Sequence, residues 1–280
     1  MLAGLLLAAV VHQGAVQRLE MPAPSLHQTK RDVRVYLPPS YSQRESAARR
    51  YPVVYLLHGW PGSEGNWLGS GHAADTADRL IASGAIPEII LVCPDGSGRG
   101  LLGRSLYINS FDGRVRLEDF LAHDLVRWTD STFRTIARPS GRAIAGLSDG
   151  GSGAMNATFR HPDVFGACGS ESADFTLHRQ AGLGGVIGPD PGGQRLLEAN
   201  SPALELPEVA SRLKTVSIYF DCGTSDESIE QNRSFDRELL ALGIPHTYRE
   251  FPGTHTWGYW RQHLNDLLVA LAPRLRGSRE

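Results

Sequence analysis

The apolar positions of this chain come in short blocks whose spacing switches between strand and helix periods. "RDVRVYLPP" (31–39) alternates and stops at two prolines, as a strand does. "YPVVYLLHG" (51–59) and "EIILVCPDG" (88–96) are continuous apolar runs closed by glycine, which suits strands buried on both faces. A helical segment is expected around residues 74–83. Between Leu117 and Phe133 the apolar positions 117, 120, 121, 125, 126 and 128 outline a helix face. "RAIAG" (142–146), "VFGACGSE" (164–171) and "TVSIYFDCG" (215–223) read as strands, with a helix from about Gly150. The end reads as helix 228–242, strand 246–251 and a last helix from about Tyr259. "AGLGGVIGPDPGGQR" (181–195) is too rich in glycine and proline for the interior of an element and is expected as a loop over the sheet's edge.

Strands that alternate with helices imply an α/β fold, a mostly parallel sheet covered on both faces. No internal repeat, heptad or low-complexity linker divides the chain. Residues 15–280 are therefore expected to form one domain, with residues 1–14 a leader or N-terminal extension. "MLAGLLLAAVV" is too short to span a bilayer. It matches the apolar region of a secretory leader, with Gly14 and Ala15 as small residues after it. No Lys or Arg precedes it, and the competing reading is a buried first strand or helix. The leader is preferred, which favours secretion or the cell envelope over the cytoplasm.

Composition changes this picture little. Of 280 residues, 41% are hydrophobic and 21% charged, an ordinary globular balance. The formal net charge of −2 gives no reason to expect nucleic acid or an anionic membrane as partner. Cys93, Cys168 and Cys222 are far apart, lack C-x-x-C spacing and each follow or end an apolar run. They read as small buried hydrophobes, with no metal site expected.

In such sheets reactive groups sit on loops leaving the carboxyl ends of strands. "IAGLSDGGSGA" (144–154) joins a strand to a helix through G-x-S-x-G, the context of a nucleophile elbow. Gly146 and Gly150 permit a tight turn, and Ser148 is held out beside a helix N-terminus that favours developing negative charge. With 31 glycines the motif alone is moderate evidence, and its placement strengthens it. "LLHGWPGSEGNW" follows the first buried strand. Backbone N–H groups of Trp60 and of Asp149 are candidate donors to an oxyanion. His58 fits a loop-fixing hydrogen-bonding role better than that of a general base. In the chain order Ser, acid, His, "YFDCGTSDESIE" supplies the acid. Asp226 is preferred, with Glu230 and then Asp221 as alternatives. Among 10 histidines, His255 in "EFPGTHTWGYW" has both the order and the loop setting of a base. Trp60, Trp67, Trp257 and Trp260 lie in or beside these loops. His58, Trp60 and Trp257 are candidate substrate contacts, with packing as the competing role. "RSLYINSFDGR" (104–114) is a polar loop that either borders the site or is ordinary surface.

With these segments in place, the chain resembles the esterase D-type branch of the α/β-hydrolases. That branch contains feruloyl and acetylxylan esterases, S-formylglutathione hydrolases and mycobacterial mycolyltransferases. "VYLPPSY", "LLHGWPGSEGNW", "GLSDGGSGAMNATFRHPDVFGA", "CGTSDE" and "GTHTWGYW" carry the resemblance, which runs from about Val16 to Leu271. It implies an α/β-hydrolase fold, no cofactor and an acyl-enzyme formed on Ser148. His255 would take the serine proton, with Asp226 orienting it. "GTHTWGYW" is similar to the transferases, whose acid is a glutamate near Glu230, whereas "CGTSDE" and "LLHGW" are similar to the hydrolases. A serine carboxylesterase for a small or medium acyl ester, on a carbohydrate in one version, is the leading expectation. An acyltransferase with the same triad comes second and a non-catalytic binding domain third.

Overall fold

A computed structural model describes residues 13–98 and 103–275. The strands are β1 (Ala15–Ala23), β2 (Gln28–Leu37), β3 (Val53–Leu57), β4 (Ile90–Pro94), β5 (Arg142–Leu147), β6 (Ala167–Glu171), β7 (Ser217–Gly223) and β8 (Thr247–Phe251). They form one 8-stranded sheet in the order β1-β2-β4-β3-β5-β6-β7-β8. β1 and β2 pair antiparallel, as do β2 and β4, and every later pairing is parallel. The expected leader lies almost wholly outside the described residues. No described helix is long and apolar enough to cross a membrane.

The apolar runs are continuous because each strand face meets its own layer. On β3, Val53, Tyr55 and Leu57 join one apolar cluster, while Val54 and Leu56 join the other. The first layer contains α2 (Leu117–Asp119), a π-helical segment at Phe120–Leu125 and α3 (Val126–Thr132), which together form the single helix expected at 117–133. It continues through α4 (Asp149–Arg160), α7 (Pro202–Leu213) and α8 (Ile229–Ala241). The second layer holds α1 (Ala73–Ala82) and α9 (Trp257–Leu275). α9 lies close against the sheet because β6 presents Gly169 there. A Cβ on Gly169 would meet Leu267 Cγ at 3.1 Å.

The segment 181–195 corrects the expectation of a plain loop. It contains α5 (Gly184–Ile187) and the start of α6 (Gly192–Glu198). Leu183, Val186, Ile187 and Leu197 bury against Leu106, Ile108 and Leu177 in a third apolar cluster. That burial offsets the poor intrinsic helix propensity of glycine, and Pro189 and Pro191 stand outside the helices. β1 and α7 were not anticipated. Pro207 inside α7 obscured a readable signal, because Pro202 sits at its N-terminus and Ala203, Leu206, Val209 and Leu213 mark its buried face.

Leu267 is fully buried against this small-residue floor. Leu267→Ala is expected to cost about 2–5 kcal/mol, read as a lower urea midpoint at unchanged slope.

Candidate active site

The loops leaving β3, β5, β7 and β8 gather at the carboxyl ends of these parallel strands. The turn after β5 is held tight by close contacts. Cβ atoms added to Gly146 would fall 2.4 Å from the backbone of Gly150, and on Gly150 2.4 Å from the Leu57 carbonyl oxygen. One on Gly151 would strike Ser170 Oγ at 2.3 Å, so α4 begins directly against β6. Between these glycines Ser148 takes φ 53°, ψ −125°, a backbone that a side chain rarely adopts. Its N–H donates to the Glu171 carbonyl at 2.9 Å, and its carbonyl accepts from Gly151 N at 2.9 Å and Ser152 N at 3.1 Å.

Ser148 Oγ lies 3.0 Å from His255 Nε2. His255 Nδ1 is 3.1 Å from each Asp226 carboxylate oxygen. A carboxylate only accepts, so Nδ1 carries the proton and Nε2 is left to accept from the serine. Asp226 is fixed by a turn. Its Oδ1 accepts the Ser228 N–H at 2.9 Å, and its own N–H donates to the Gly223 carbonyl at 3.0 Å. Burial would lift the Asp226 carboxyl, but the His255 and Ser228 hydrogen bonds outweigh it and hold it below the ordinary value. Burial would likewise lower His255. The hydrogen bond and charge of Asp226, with Glu227 and Asp174, outweigh that and raise it above 6.5. Trp260 packs edge-on against the imidazole, with ring centres 4.9 Å apart.

The other candidate acids are placed elsewhere. Glu230 faces solvent on α8 and pairs with Arg233 at 2.7 Å, so the transferase-like acid position is not the one that meets His255. Asp221 is fully buried under α9, where Tyr259 Oη donates to it at 2.8 Å. It stands in register with Glu171 across β6 and β7. Neither Glu171 carboxyl oxygen has a hydrogen-bond partner among the described residues. Burial pushes Asp221 up to about 7. Burial together with the charges of Asp221 and Asp266 lifts Glu171 well above the carboxylate range. Neither side chain hydrogen-bonds to Ser148 or His255.

A cavity of about 90 Å³ opens at Ser148 and His255. Asp149, Asp174, His178, Gln180, Glu227 and Arg104 give it a mostly polar wall. His58 and Trp257, expected as substrate contacts or as packing residues, are both engaged with neighbouring protein groups. His58 is buried, with Nδ1 2.7 Å from the Gly59 carbonyl and Nε2 accepting the Gly96 N–H at 2.9 Å. Both ring nitrogens are spent on the loop, and His58 does not line the cavity. Trp257 packs edge-on against Trp67 and Trp260 at ring distances of 5.6 and 5.4 Å, as part of the wall behind His255. Trp60 is 36% exposed and borders a smaller adjoining cleft. The loop 104–114 does border the site. Tyr107 Oη donates to the His58 carbonyl at 2.8 Å, and Arg104 reaches Asp149. Nothing local in the sequence signalled Arg104, because its partner is 45 residues away.

The family model described as "Putative esterase" matches residues 24–271. An esterase of Mycobacterium tuberculosis is 29% identical over 276 residues, covering 88% of this chain and 57% of the relative. The chain thus spans little more than half of that relative's length. An endo-1,4-beta-xylanase/feruloyl esterase of Xylanibacter ruminicola is 37% identical over 139 residues, 48% of this chain and 18% of that protein. Among solved structures, a ferulic acid esterase superposes with a TM-score of 0.83 at 30% identity, covering 94% of this chain and 99% of its own. The fold is the α/β-hydrolase fold.

The buried acids set a pH dependence of stability. Asp221 keeps its proton in the folded chain up to about pH 7, whereas an unfolded aspartate loses it near 3.8. Stability from this group is therefore full below pH 3.8 and declines as pH rises to about 7, at up to about 1.4 kcal/mol per pH unit. Asp221→Asn is expected to flatten that decline, so its advantage over the parent chain grows from pH 5 to pH 8 in denaturant titrations.

Proposed function

We propose that this chain, which belongs to the putative esterase family, is a serine carboxylesterase working through an acyl-enzyme on Ser148. The observation that carries the reading is the hydrogen-bonded line from Ser148 Oγ through His255 to Asp226, at 3.0 and 3.1 Å. It begins at a serine held at φ 53° on top of the sheet. Residues 15–280 act as one catalytic domain in this reading.

Ser148 Oγ attacks the ester carbonyl while its proton passes to His255 Nε2. Asp226 holds the ring by Nδ1–H and stabilises the imidazolium. The negative charge on the former carbonyl oxygen is met by the N–H groups of Asp149 and Trp60. Asp149 opens α4, where no preceding turn of helix supplies a carbonyl for its N–H. Gly59 brings the Trp60 segment alongside, since a Cβ there would sit 3.1 Å from Ser148 Cβ. Collapse of the tetrahedral species breaks the ester C–O bond, and the departing alcohol takes the proton from His255. Water, deprotonated by the same imidazole, then releases the acid and restores the serine.

The small cavity favours a short acyl group and gives no support to transfer of a long acyl chain. Its polar wall suits a hydroxyl-rich alcohol, as in an ester on a carbohydrate. No metal or cofactor takes part in this scheme. The assembled Ser-His-Asp line argues against a silent binding domain.

Ser148→Ala is expected to lower kcat for p-nitrophenyl acetate by about 10³-fold or more and to abolish fluorophosphonate labelling. Retained turnover would remove Ser148 from the mechanism. Asp226→Asn is expected to lower kcat by about 10⁴-fold, whereas Glu230→Gln stays within about twofold of the parent, as an exposed surface change should. Because His255 must be neutral to accept a proton and its pKa is raised above 6.5, kcat/KM should fall as pH drops through a midpoint above 6.5. A midpoint below that value in a pH–rate profile would contradict the Asp226 partnership.

A further inference from the structure

Arg104 stands where the two segments of the proposed oxyanion hole meet. Its Nε donates to Asp149 Oδ2 at 2.5 Å, and its Nη2 donates to Asp149 Oδ1. Both side chains of this two-pronged pair are largely buried, 13% and 8% exposed. The same guanidinium lies over the Trp60 indole, its carbon 5.2 Å from the ring centre. One planar cation thus grips the residue after Ser148 and covers the residue two places after His58.

The base of Arg104 is itself anchored. Ser105 Oγ donates to the Gly96 carbonyl at 2.7 Å, and Leu106 and Tyr107 take φ 51° and 57° as the loop turns under the site. Tyr107 also ties the loop to the His58 carbonyl. Arg104 is the only Lys or Arg among the described residues lining the cavity, where Asp149, Asp174 and Glu227 carry the opposite charge.

We propose that Arg104 is a positioning residue for ester hydrolysis: it locks Asp149 to Trp60, so that their two N–H groups stay aimed at the oxyanion, and it cancels the Asp149 charge beside them. The proposal rests on the serine-esterase reading above. Two physical reasons support it. Oxyanion donors act because they are oriented before the charge appears, and the two donors here sit on separate loops. An uncompensated carboxylate one residue from the nucleophile would also oppose the charge that develops there. Only a guanidinium can hold both carboxylate oxygens and stack on an indole at once, so lysine is not an equivalent.

The test compares the parent chain with Arg104→Gln, Arg104→Lys, Asp149→Asn and the Arg104→Gln/Asp149→Asn double variant, on p-nitrophenyl acetate, with melting temperatures recorded. Arg104→Gln and Arg104→Lys are expected to lower kcat by about 10- to 100-fold, with KM within about threefold because ground-state binding is not the affected step. Fluorophosphonate labelling of Ser148 should slow in parallel. The double variant should lose no more than Arg104→Gln alone, since both changes remove one interaction. Its neutral pair also keeps the comparison open if a single variant folds poorly. Arg104→Gln with kcat within twofold of the parent, a loss confined to KM, or multiplicative losses in the double variant would each overturn the proposal. Ser148→Ala separates the two levels. Turnover that survives it undermines the esterase reading itself, whereas an inactive Ser148→Ala beside a fully active Arg104→Gln removes only the role of Arg104.

Discussion

The site depends on how closely the exit of β3 presses against the turn between β5 and α4. Gly150 packs its backbone into the carbonyls of Leu57 and His58, and Gly59 in turn touches Leu147 and Ser148. With no Cβ on either side, two adjacent parallel strands can end at the same height and face each other across a few ångströms. Ser148 is then forced to φ 53°, a strained backbone of the kind that costs about 1–3 kcal/mol and persists only where its surroundings over-determine it. Here its N–H and carbonyl are both hydrogen-bonded, to Glu171 and to the first turn of α4. The strain lifts the hydroxyl out of the sheet, and the close approach brings the His58–Trp60 loop beside it.

Charge is arranged around this turn in two zones. At the rim, Asp226, Glu227 and Asp174 raise His255, and the Asp226 turn fixes the imidazole tautomer. Arg104 offsets Asp149, the acid that follows Ser148 in sequence. Beneath the rim, on the α9 face, burial raises the carboxyl groups of Glu171 and Asp221 above the ordinary range. Two carboxyl groups side by side in an apolar layer cannot both ionise at small cost. Glu171 ends β6, next to the β5 end that leads into Ser148, and Asp221 lies near the end of β7, which leads into the Asp226 turn.

The likeness to the esterase family covers residues 24–271. Asp149 places a negative charge next to Ser148. A loop far away in sequence supplies the cation that neutralises it, with Trp60 as the surface on which that cation rests.

Much was legible in the sequence. Buried runs such as 53–57 announce strands because parallel sheets covered on both faces leave no polar alternation. The G-x-S-x-G turn and the order Ser148, Asp226, His255 are local or ordered features, and local chemistry is what a sequence displays. The helices at 184–187 and 192–198 were not legible, because burial against Leu106, Ile108 and Leu177 decides them against their own propensity. The sequence favoured Asp226, just past the turn at Gly223, but left Glu230 and Asp221 open. All three lie within a few residues, yet one faces α9, one faces His255 and one faces water. The pairing of Arg104 with Asp149 was likewise set by segments that only the strand order brings together. Sequence by itself determined most strands and helices and the tight turn that carries Ser148. Tertiary structure placed Asp226 rather than Glu230 or Asp221 against His255, and it alone brought Arg104 to Asp149, because side-chain partnership depends on contacts between segments distant in the chain.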